Sequence, residues 1–388
     1  MDITIRSDKL SGTVNVIPSK SQAHRYLIAA AFSKGTTTLI CPETNQDIEA
    51  TADCLNALGA HISKNDVGYV IHPIGNIPKS AVLNCRESGS TLRFLLPIAG
   101  ALGVDATFLL KGRLPSRPLS PLWEEMERNG CHLSRPTDNT IHCTGKLLAA
   151  EYFIDGSVSS QFITGLMFAL PLIGGDSKLH ITGNVESKPY IHMTEQAISR
   201  FGYPYSPSPG ILTVEGDWSN GAFWLAAKTL GNSLTVTGLN HASIQGDRAA
   251  DQLLPALEAH IIIDASDIPD LVPIMAVVAA TNHGATFTNI QRLRLKESDR
   301  VTTVEEMIRN LGGTAYSTES TLIVNGTGLV GGVVDSHNDH RIAMSAAIAA
   351  TVCTSPVTIL GAEAVNKSYP TFWEEYRRLG GHYEQYIR

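Results

Sequence analysis

Charge is scarce in this chain. Only 17% of its 388 residues are Asp, Glu, Lys or Arg, and the balance is acidic, with a formal net charge of −7 at neutral pH. A basic surplus of the kind nucleic acids require is missing, so phosphate recognition has to come from a local cluster of cations, which favours a small anionic ligand over a polymer. Long apolar runs are missing too: the longest, residues 162–173, is interrupted by Thr, Gly and Pro and falls short of the roughly 18 residues a membrane span needs. The start, Met1-Asp2-Ile3-Thr4-Ile5-Arg6-Ser7-Asp8, lacks the basic region and apolar core of a signal peptide. The six cysteines (Cys41, Cys54, Cys85, Cys131, Cys143, Cys353) form no CxxC pair and have no His at metal-ligand spacing. The adjacent pairs Cys131-His132 and His142-Cys143 suit strands or surfaces better than zinc. Reduced thiols in a cytoplasmic protein, with no metal site and no membrane segment, are therefore expected.

Apolar material is plentiful, at 43% hydrophobic residues, and the chain is too long for one ordinary core, so two domains are expected. Its organising stretch is Pro18-Ser19-Lys20-Ser21-Gln22-Ala23-His24-Arg25, running into Tyr26-Leu27-Ile28-Ala29-Ala30-Ala31-Phe32. Pro and Ser supply a fixed φ and a capping oxygen, and the Leu/Ile/Ala run supplies helix propensity and a buried face. Lys20 and Arg25 then sit in the first turns, where the helix dipole disfavours positive charge and free N–H groups favour an anion. Cations gathered at a helix N-terminus suggest a phosphate or carboxylate site; a solvated first turn with incidental charges is the plainer alternative.

The same plan of polar start, small-residue helix, Gly-containing break and Thr-rich strand recurs at residues 88–109, 159–181, 219–236, 267–288 and 338–360, making six copies. Each is followed by a more amphipathic helix, as at residues 47–58 before Gly59, 118–128 before Gly130 and 302–311 before Gly312, with Gly at the C-cap position. Others are expected at residues 190–200, 247–257 and 369–379. Short alternating strands such as Tyr69-Val70-Ile71-His72 and Thr321-Leu322-Ile323-Val324 close most units. A unit spans roughly 50 to 70 residues, longer than most solenoid repeats. The Gly/Pro-rich stretch at residues 202–216 marks a division into two domains of three units. An ordinary α/β protein with similar-looking helices is the alternative.

The chemistry lies in what occupies these equivalent starts. The first carries Lys20, Ser21 and Arg25, with Ser21 and Arg25 on one face; the second Gly89, Ser90 and Arg93; the third Ser159, Ser160 and Gln161; the fifth Asp270; the sixth Asp339, His340 and Arg341. Loops add Lys111-Gly112-Arg113, Arg117, Ser187-Lys188-Pro189-Tyr190, Lys367 and the octet Leu293-Arg294-Leu295-Lys296-Glu297-Ser298-Asp299-Arg300, in which Lys296 and Arg300 face the same way if the octet is helical. Such a charge run is ordinarily a solvated, salt-bridged face. Its company of other cations suggests instead a site that holds two anionic ligands and still supplies Glu297, Asp270 and Lys20 for proton transfer.

These motifs, in order along essentially the whole chain, resemble the 5-enolpyruvylshikimate-3-phosphate synthase family of shikimate-pathway transferases. The resemblance implies an α/β (α+β) fold of two inverse α/β barrel-like domains, each of three βαβαββ repeats. The domains would be residues 1–18 with 216–388, and 19–215, with the active site in the interdomain cleft. It implies that Lys20, Ser21, Arg25, Ser159, Ser160, Ser187, Asp270 and Lys296 contact shikimate 3-phosphate, and that Lys20, Gly89, Arg113, Gln161, Arg300, Arg341 and Lys367 hold phosphoenolpyruvate. Asp270 would take the proton from the attacking 5-hydroxyl, while Glu297 and Lys20 would manage the proton at the methylene carbon and in the tetrahedral intermediate. It implies no metal or organic cofactor, small-molecule substrates only and a monomer. Two domains that both contribute ligand groups suggest closure on the substrates, and a cleft facing several cations and positive helix ends is expected to be held open by repulsion when empty.

Two departures stand out: Glu87-Ser88-Gly89-Ser90 where the family commonly has Asn-Ala-Gly-Thr, and Arg292 where some members have Asn. A compensating Glu87–Arg292 ion pair is one reading, and Glu87, Ser90 and Arg292 put local ligand geometry and glyphosate sensitivity in question more than the reaction. The competing functions are the related enolpyruvyl transferase acting on UDP-N-acetylglucosamine and a catalytically silent phosphate-ligand-binding paralogue. The first carries a loop Cys that Lys111-Gly112-Arg113-Leu114-Pro115-Ser116-Arg117 lacks; the second has no need of the acid/base set.

Overall fold

In the computed structural model, which describes residues 1–386, each of the recurring small-residue segments is a buried helix: Lys20–Ala31, Gly89–Leu102, Ser160–Ile173, Trp218–Thr229, Val272–Thr281 and His340–Ala350. Five are capped by the polar residue before them. Ser19, Ser88, Ser159, Asp217 and Asp339 each accept a hydrogen bond from a backbone N–H of the first turn, satisfying donors that would otherwise be buried unpaired. The fifth helix departs from expectation. It begins at Val272 with Pro273 in its first turn and has no side-chain cap, so Asp270 lies in the turn before it. Proline serves there because the N–H it lacks would have been unsatisfied anyway.

The strands that follow the six helices, Thr37–Ile40, Asp105–Leu110, Lys178–Thr182, Ser233–Thr237, Ala285–Thr288 and Val357–Leu360, each pair in parallel with one neighbour. In four cases an antiparallel pair of strands completes a four-stranded sheet of one common order. The other two, Glu151–Asp155 with Lys178–Thr182 and Ser11–Asn15 with Ser233–Thr237, remain two-stranded. In each case the next strand goes to another sheet: after the helix Lys188–Phe201 and the segment containing Pro204, Pro207 and Pro209, Ile211–Thr213 joins Thr37–Ile40, and after the helix Ala250–Ala256, Ile261–Asp264 joins Ala285–Thr288.

The chain divides into two compact units, Met1–Ile17 with Gly216–Arg388, and Pro18–Glu215. The amino-terminal strand Asp2–Ile5 belongs with the first because it pairs antiparallel with both Val357–Leu360 and Tyr383–Tyr386. Each unit has its own apolar core, one around Phe223, Trp224, Met275 and Met344, the other around Leu27, Phe94, Phe162 and Phe168. Each of these large side chains contributes about 1.5–3 kcal/mol by leaving water. In the second unit the helices Gly89–Leu102 and Ser160–Ile173 pack so closely that a Cβ on Gly165 would stand 2.2 Å from the Arg93 carbonyl oxygen. That contact is open only to glycine, and it brings the starts of the two helices together.

The octet at residues 293–300 is not one helix. A 3-10 turn, Gln291–Leu295, ends at an extended Lys296, and a new helix, Arg300–Asn310, starts after Asp299, whose side chain caps it. Asp299 competes for backbone N–H groups and so breaks the run into two elements. Among the described residues no helix is long and apolar enough to cross a membrane, and all six cysteines are free and buried.

Candidate active site

In the unit Pro18–Glu215, Lys20 opens the first buried helix and its Nζ donates to Asp47 Oδ2 at 3.0 Å. The expected shared face of Ser21 and Arg25 is real but is read through the backbone: Arg25 donates to the Ser21 carbonyl at 2.7 Å. The rest of its guanidinium is held by Thr194 Oγ1 (2.9 Å), Thr164 Oγ1 (3.3 Å) and the Tyr190 carbonyl (2.8 Å), and it stacks on Phe94. Burial draws Arg25 down to about 10, which leaves it charged at neutral pH. A ligand at Arg25 therefore competes with an existing set of acceptors.

Beside it, burial together with the charges of Lys20 and Arg25 keeps the His24 imidazole well below its usual value and neutral. His24 Nδ1 lies 2.7 Å from Thr51 Oγ1, which in turn lies 2.7 Å from Thr91 Oγ1, so the first two helix starts are tied by a buried polar chain. The second and third starts are tied through Gln161, whose Oε1 accepts from Arg93 at 2.8 Å and whose Nε2 donates to Ser90 Oγ at 2.9 Å. Ser159 caps the third helix and Ser160 is buried next to it. Ser187, in a left-handed conformation at φ 55°, leads into the helix that presents Tyr190 and Thr194 to Arg25. Gly89 leaves room for guanidinium groups: a Cβ there would lie 2.8 Å from Arg117 and 3.0 Å from Arg93. Arg113 is exposed on the following loop. Glu87 lies against Gly112 of this same unit, its carboxylate 2.4 Å from where a Cβ would be.

In the other unit one carboxylate gathers the cations. Asp270 Oδ1 accepts from Arg300 at 2.5 Å and from Lys296 at 3.5 Å, while its Oδ2 accepts from Arg341 at 3.4 Å. Lys296 and Arg300 thus do converge, although not as neighbours on one helix. Arg300 also donates to Glu297 at 2.6 Å and to Asp339 at 2.8 Å. Burial opposes its charge, but Asp339, Glu297 and Asp270 together outweigh that and hold it protonated well above the usual arginine range. Lys296 has fewer compensating anions, and burial pulls it down to about 8 despite Asp270. Arg341 donates to the Ser219 carbonyl at 3.0 Å and lies over Phe223, and Lys367 Nζ donates to the Asn338 carbonyl at 2.7 Å.

In both units the site cations are therefore already engaged, Lys20, Lys296, Arg300 and Arg341 with carboxylates and Arg25, Arg93 and Lys367 with hydroxyl, amide or carbonyl oxygens. Bare like charges, which the sequence suggested, are not what each unit displays. The acids Asp47 and Asp339 are the partners that composition alone left unassigned. The signal existed, since Asp47 begins the expected surface helix after Lys20 and Asp339 begins the sixth start. Nothing in the spacing pointed to Thr164 and Thr194 as holders of Arg25.

The fold is that of the enolpyruvyl transferases. A solved EPSP synthase from Acinetobacter baumannii superposes with a TM-score of 0.79 at 22% identity, covering 99% of this chain and 100% of that one. The enolpyruvyl transferase NikO from Streptomyces tendae does so with a TM-score of 0.73 at 15% identity, over 99% and 98% of the two chains. At sequence level the family model described as EPSP synthase (3-phosphoshikimate 1-carboxyvinyltransferase) matches residues 5–376. A 3-phosphoshikimate 1-carboxyvinyltransferase of Clostridium kluyveri is 38% identical over 99% of this chain and 98% of its own length, and that of Clostridium novyi is 38% identical over 98% of each. The chain belongs to the EPSP synthase family.

Proposed function

We propose that this protein transfers the enolpyruvyl group of phosphoenolpyruvate to the 5-hydroxyl of shikimate 3-phosphate, releasing inorganic phosphate, a step in aromatic amino acid biosynthesis. The observation that carries the reading is the Asp270 cluster, an acid flanked by Lys296, Arg300 and Arg341 with Glu297 on the far side of Arg300. Addition to an enol ether passes through a cationic carbon and then a tetrahedral ketal. Such a site must donate a proton to carbon, accept one from oxygen, and fix a carboxylate and two phosphates with cations.

Lys20, Ser21, Arg25, Ser159, Ser160, Ser187, Asp270 and Lys296 bind shikimate 3-phosphate in this reading, and Lys20, Gly89, Arg113, Gln161, Arg300, Arg341 and Lys367 bind phosphoenolpyruvate. Glu297, with Lys20, delivers a proton to the methylene carbon as Asp270 removes the proton of the 5-hydroxyl. The new C–O bond forms at the central carbon; collapse of the ketal then expels phosphate and returns the methyl proton to the protein. The cations explain the timing. A substrate anion that takes Arg341 and Arg300 away from Asp270 removes the charges that suppress its basicity, so the base is released only when phosphoenolpyruvate is in place. Residues of both units are required for turnover. We place the protein in the cytoplasm as a monomer; six free, buried thiols suit a reducing compartment.

The test is phosphate release from phosphoenolpyruvate. Release with shikimate 3-phosphate and none with UDP-N-acetylglucosamine is expected; the reverse pattern assigns the sister reaction, and binding of both ligands without release assigns a silent paralogue.

A further inference from the structure

Asp247 has no part in the reaction as derived so far, yet it is placed against it. It sits in the 3-10 turn Gly246–Ala249, is 1% exposed, and its Oδ1 is buried without a hydrogen-bond partner. Its Oδ2 accepts a short hydrogen bond from Ser219 Oγ. Leaving a carboxylate oxygen buried and unpaired is costly, and natural sequences keep such groups where function uses them. The turn is also stapled in place: Gln245 Oε1 accepts from the Trp218 N–H at 3.1 Å and Gln245 Nε2 donates to the Gly216 carbonyl at 2.9 Å. Asp247 therefore cannot drift away from the start of the helix Trp218–Thr229.

Ser219 connects this acid to the site. Its hydroxyl holds Asp247, its carbonyl holds Arg341, and Arg341 in turn contacts Asp270. We propose that Asp247 is a positioning residue that sets the net charge felt by Arg341, and with it the affinity for the anionic phosphoenolpyruvate. With Asp247 protonated, Arg341 answers to Asp270 alone and has charge to offer an incoming anion. With Asp247 ionised, a second buried carboxylate stands behind the same guanidinium and the anion is bound less well.

The titration falls in a useful range. Burial pushes Asp247 up to about 7, the negative charge of Asp270 and then that of Asp217 adding to the rise, while Arg341 and the Ser219 hydroxyl pull it back. These are the groups that face it from the helices and turns packed around it. The sign follows: above about 7 the acid is ionised and the affinity for phosphoenolpyruvate falls, and below it the affinity is restored.

The inference rests on the transfer reaction proposed above, and the experiment separates the two. KM for phosphoenolpyruvate and kcat are measured by phosphate release from pH 6 to 9 for the parent, Asp247→Asn and Ser219→Ala; ratios to the parent cancel the ionisation of the substrate itself. In Asp247→Asn, a neutral isostere, the parent-to-variant KM ratio is expected to climb about tenfold between pH 6 and 8, with kcat within about threefold. Ser219→Ala leaves the backbone carbonyl for Arg341 but removes a hydrogen bond to the ionised acid, so it shifts the same climb to higher pH. This second variant keeps the inference testable if Asp247→Asn folds poorly. KM ratios that stay flat with pH in both variants, or a loss confined to kcat, overturn it. A parent that releases no phosphate with both substrates present overturns the reaction itself.

Discussion

Replacing Asp270 by Ala asks the most of the site. The side chain is 20% exposed and meets Arg300, Lys296 and Arg341. As general base it is worth about 10²–10⁴ in kcat, or about 3–5 kcal/mol at 1.36 kcal/mol per tenfold. As a counter-ion it works in the opposite direction on binding, because its loss frees Arg341 and Lys296 for the substrate anions. Arg300, at 1% exposed, keeps Asp339 at 2.8 Å and Glu297 at 2.6 Å, but Arg341, at 3% exposed, loses its ion pair and keeps the Ser219 carbonyl, so the stability cost is about 3–5 kcal/mol, that of breaking a buried pair. The expected signature is a folded protein with kcat reduced 10²–10⁴-fold and KM for phosphoenolpyruvate unchanged or lowered. Steady-state phosphate release and urea unfolding measure the two parts, with Asp270→Asn as the size control. A kcat within about fivefold of the parent would falsify the role of base. A large rise in KM at normal kcat would make Asp270 a mere holder of the cations.

Lys20→Met removes a pair with Asp47 that is partly open to solvent at 17% and 15% exposure; stability should fall by only about 1 kcal/mol while turnover is largely lost, and near-normal single-turnover rates would end its assignment to both substrates and the proton. Gly89→Ala puts a Cβ 2.8 Å from the Arg117 guanidinium, a flexible group that can move, so the fold should survive in circular dichroism while KM for phosphoenolpyruvate rises. Because burial holds Lys296 at about 8, its charge fades as pH rises through that value, and KM for shikimate 3-phosphate should climb above pH 8. Lys296→Arg should flatten that climb; an identical profile in the variant removes Lys296 as its cause. The pairing expected of Glu87 and Arg292 is tested by a double-mutant cycle with Glu87→Gln and Arg292→Gln, where a coupling energy near zero in substrate affinity leaves each residue to act within its own unit.

The six helix starts were legible because one residue plan solves one problem each time: a capping oxygen feeds an apolar helix whose first N–H groups face inward. Boundaries failed where two signals compete. Asp270 looked like a helix start, but Pro273 in the first turn of Val272–Thr281 moves that start past it. Residues 293–300 left open whether the charged octet is helical; in the structure Asp299 takes the Thr302 N–H and starts a new helix. The missing hairpins after Lys178–Thr182 and Ser233–Thr237 were illegible because the strands that follow, Ile211–Thr213 and Ile261–Asp264, are taken up by other sheets, and which sheet a strand joins leaves no local pattern. At the site, the cations were visible as types and their carboxylate partners were not. Which acid neutralises which arginine depends on tertiary placement: Asp339 and Arg300, far apart in sequence, meet at 2.8 Å.

That pairing bears on why an acidic protein can serve anionic substrates at all. A cluster of unpaired cations would bind phosphate strongly but indiscriminately, and burying it would cost several kcal/mol per ion. Around Asp270 the cations are buried with carboxylates, so desolvation is met at folding, and in the proposed reaction a substrate would enter by exchange, its oxygens replacing carboxylate oxygens on the same guanidinium groups. Exchange of like charge gains little net electrostatic energy. Selectivity then falls to geometry, to which ligand reaches Lys296, Arg300 and Arg341 together. The carboxylates displaced in such an exchange would be Asp270 and Glu297, the acid and base of the proposed reaction, so on that proposal the binding step also prepares the acid and the base.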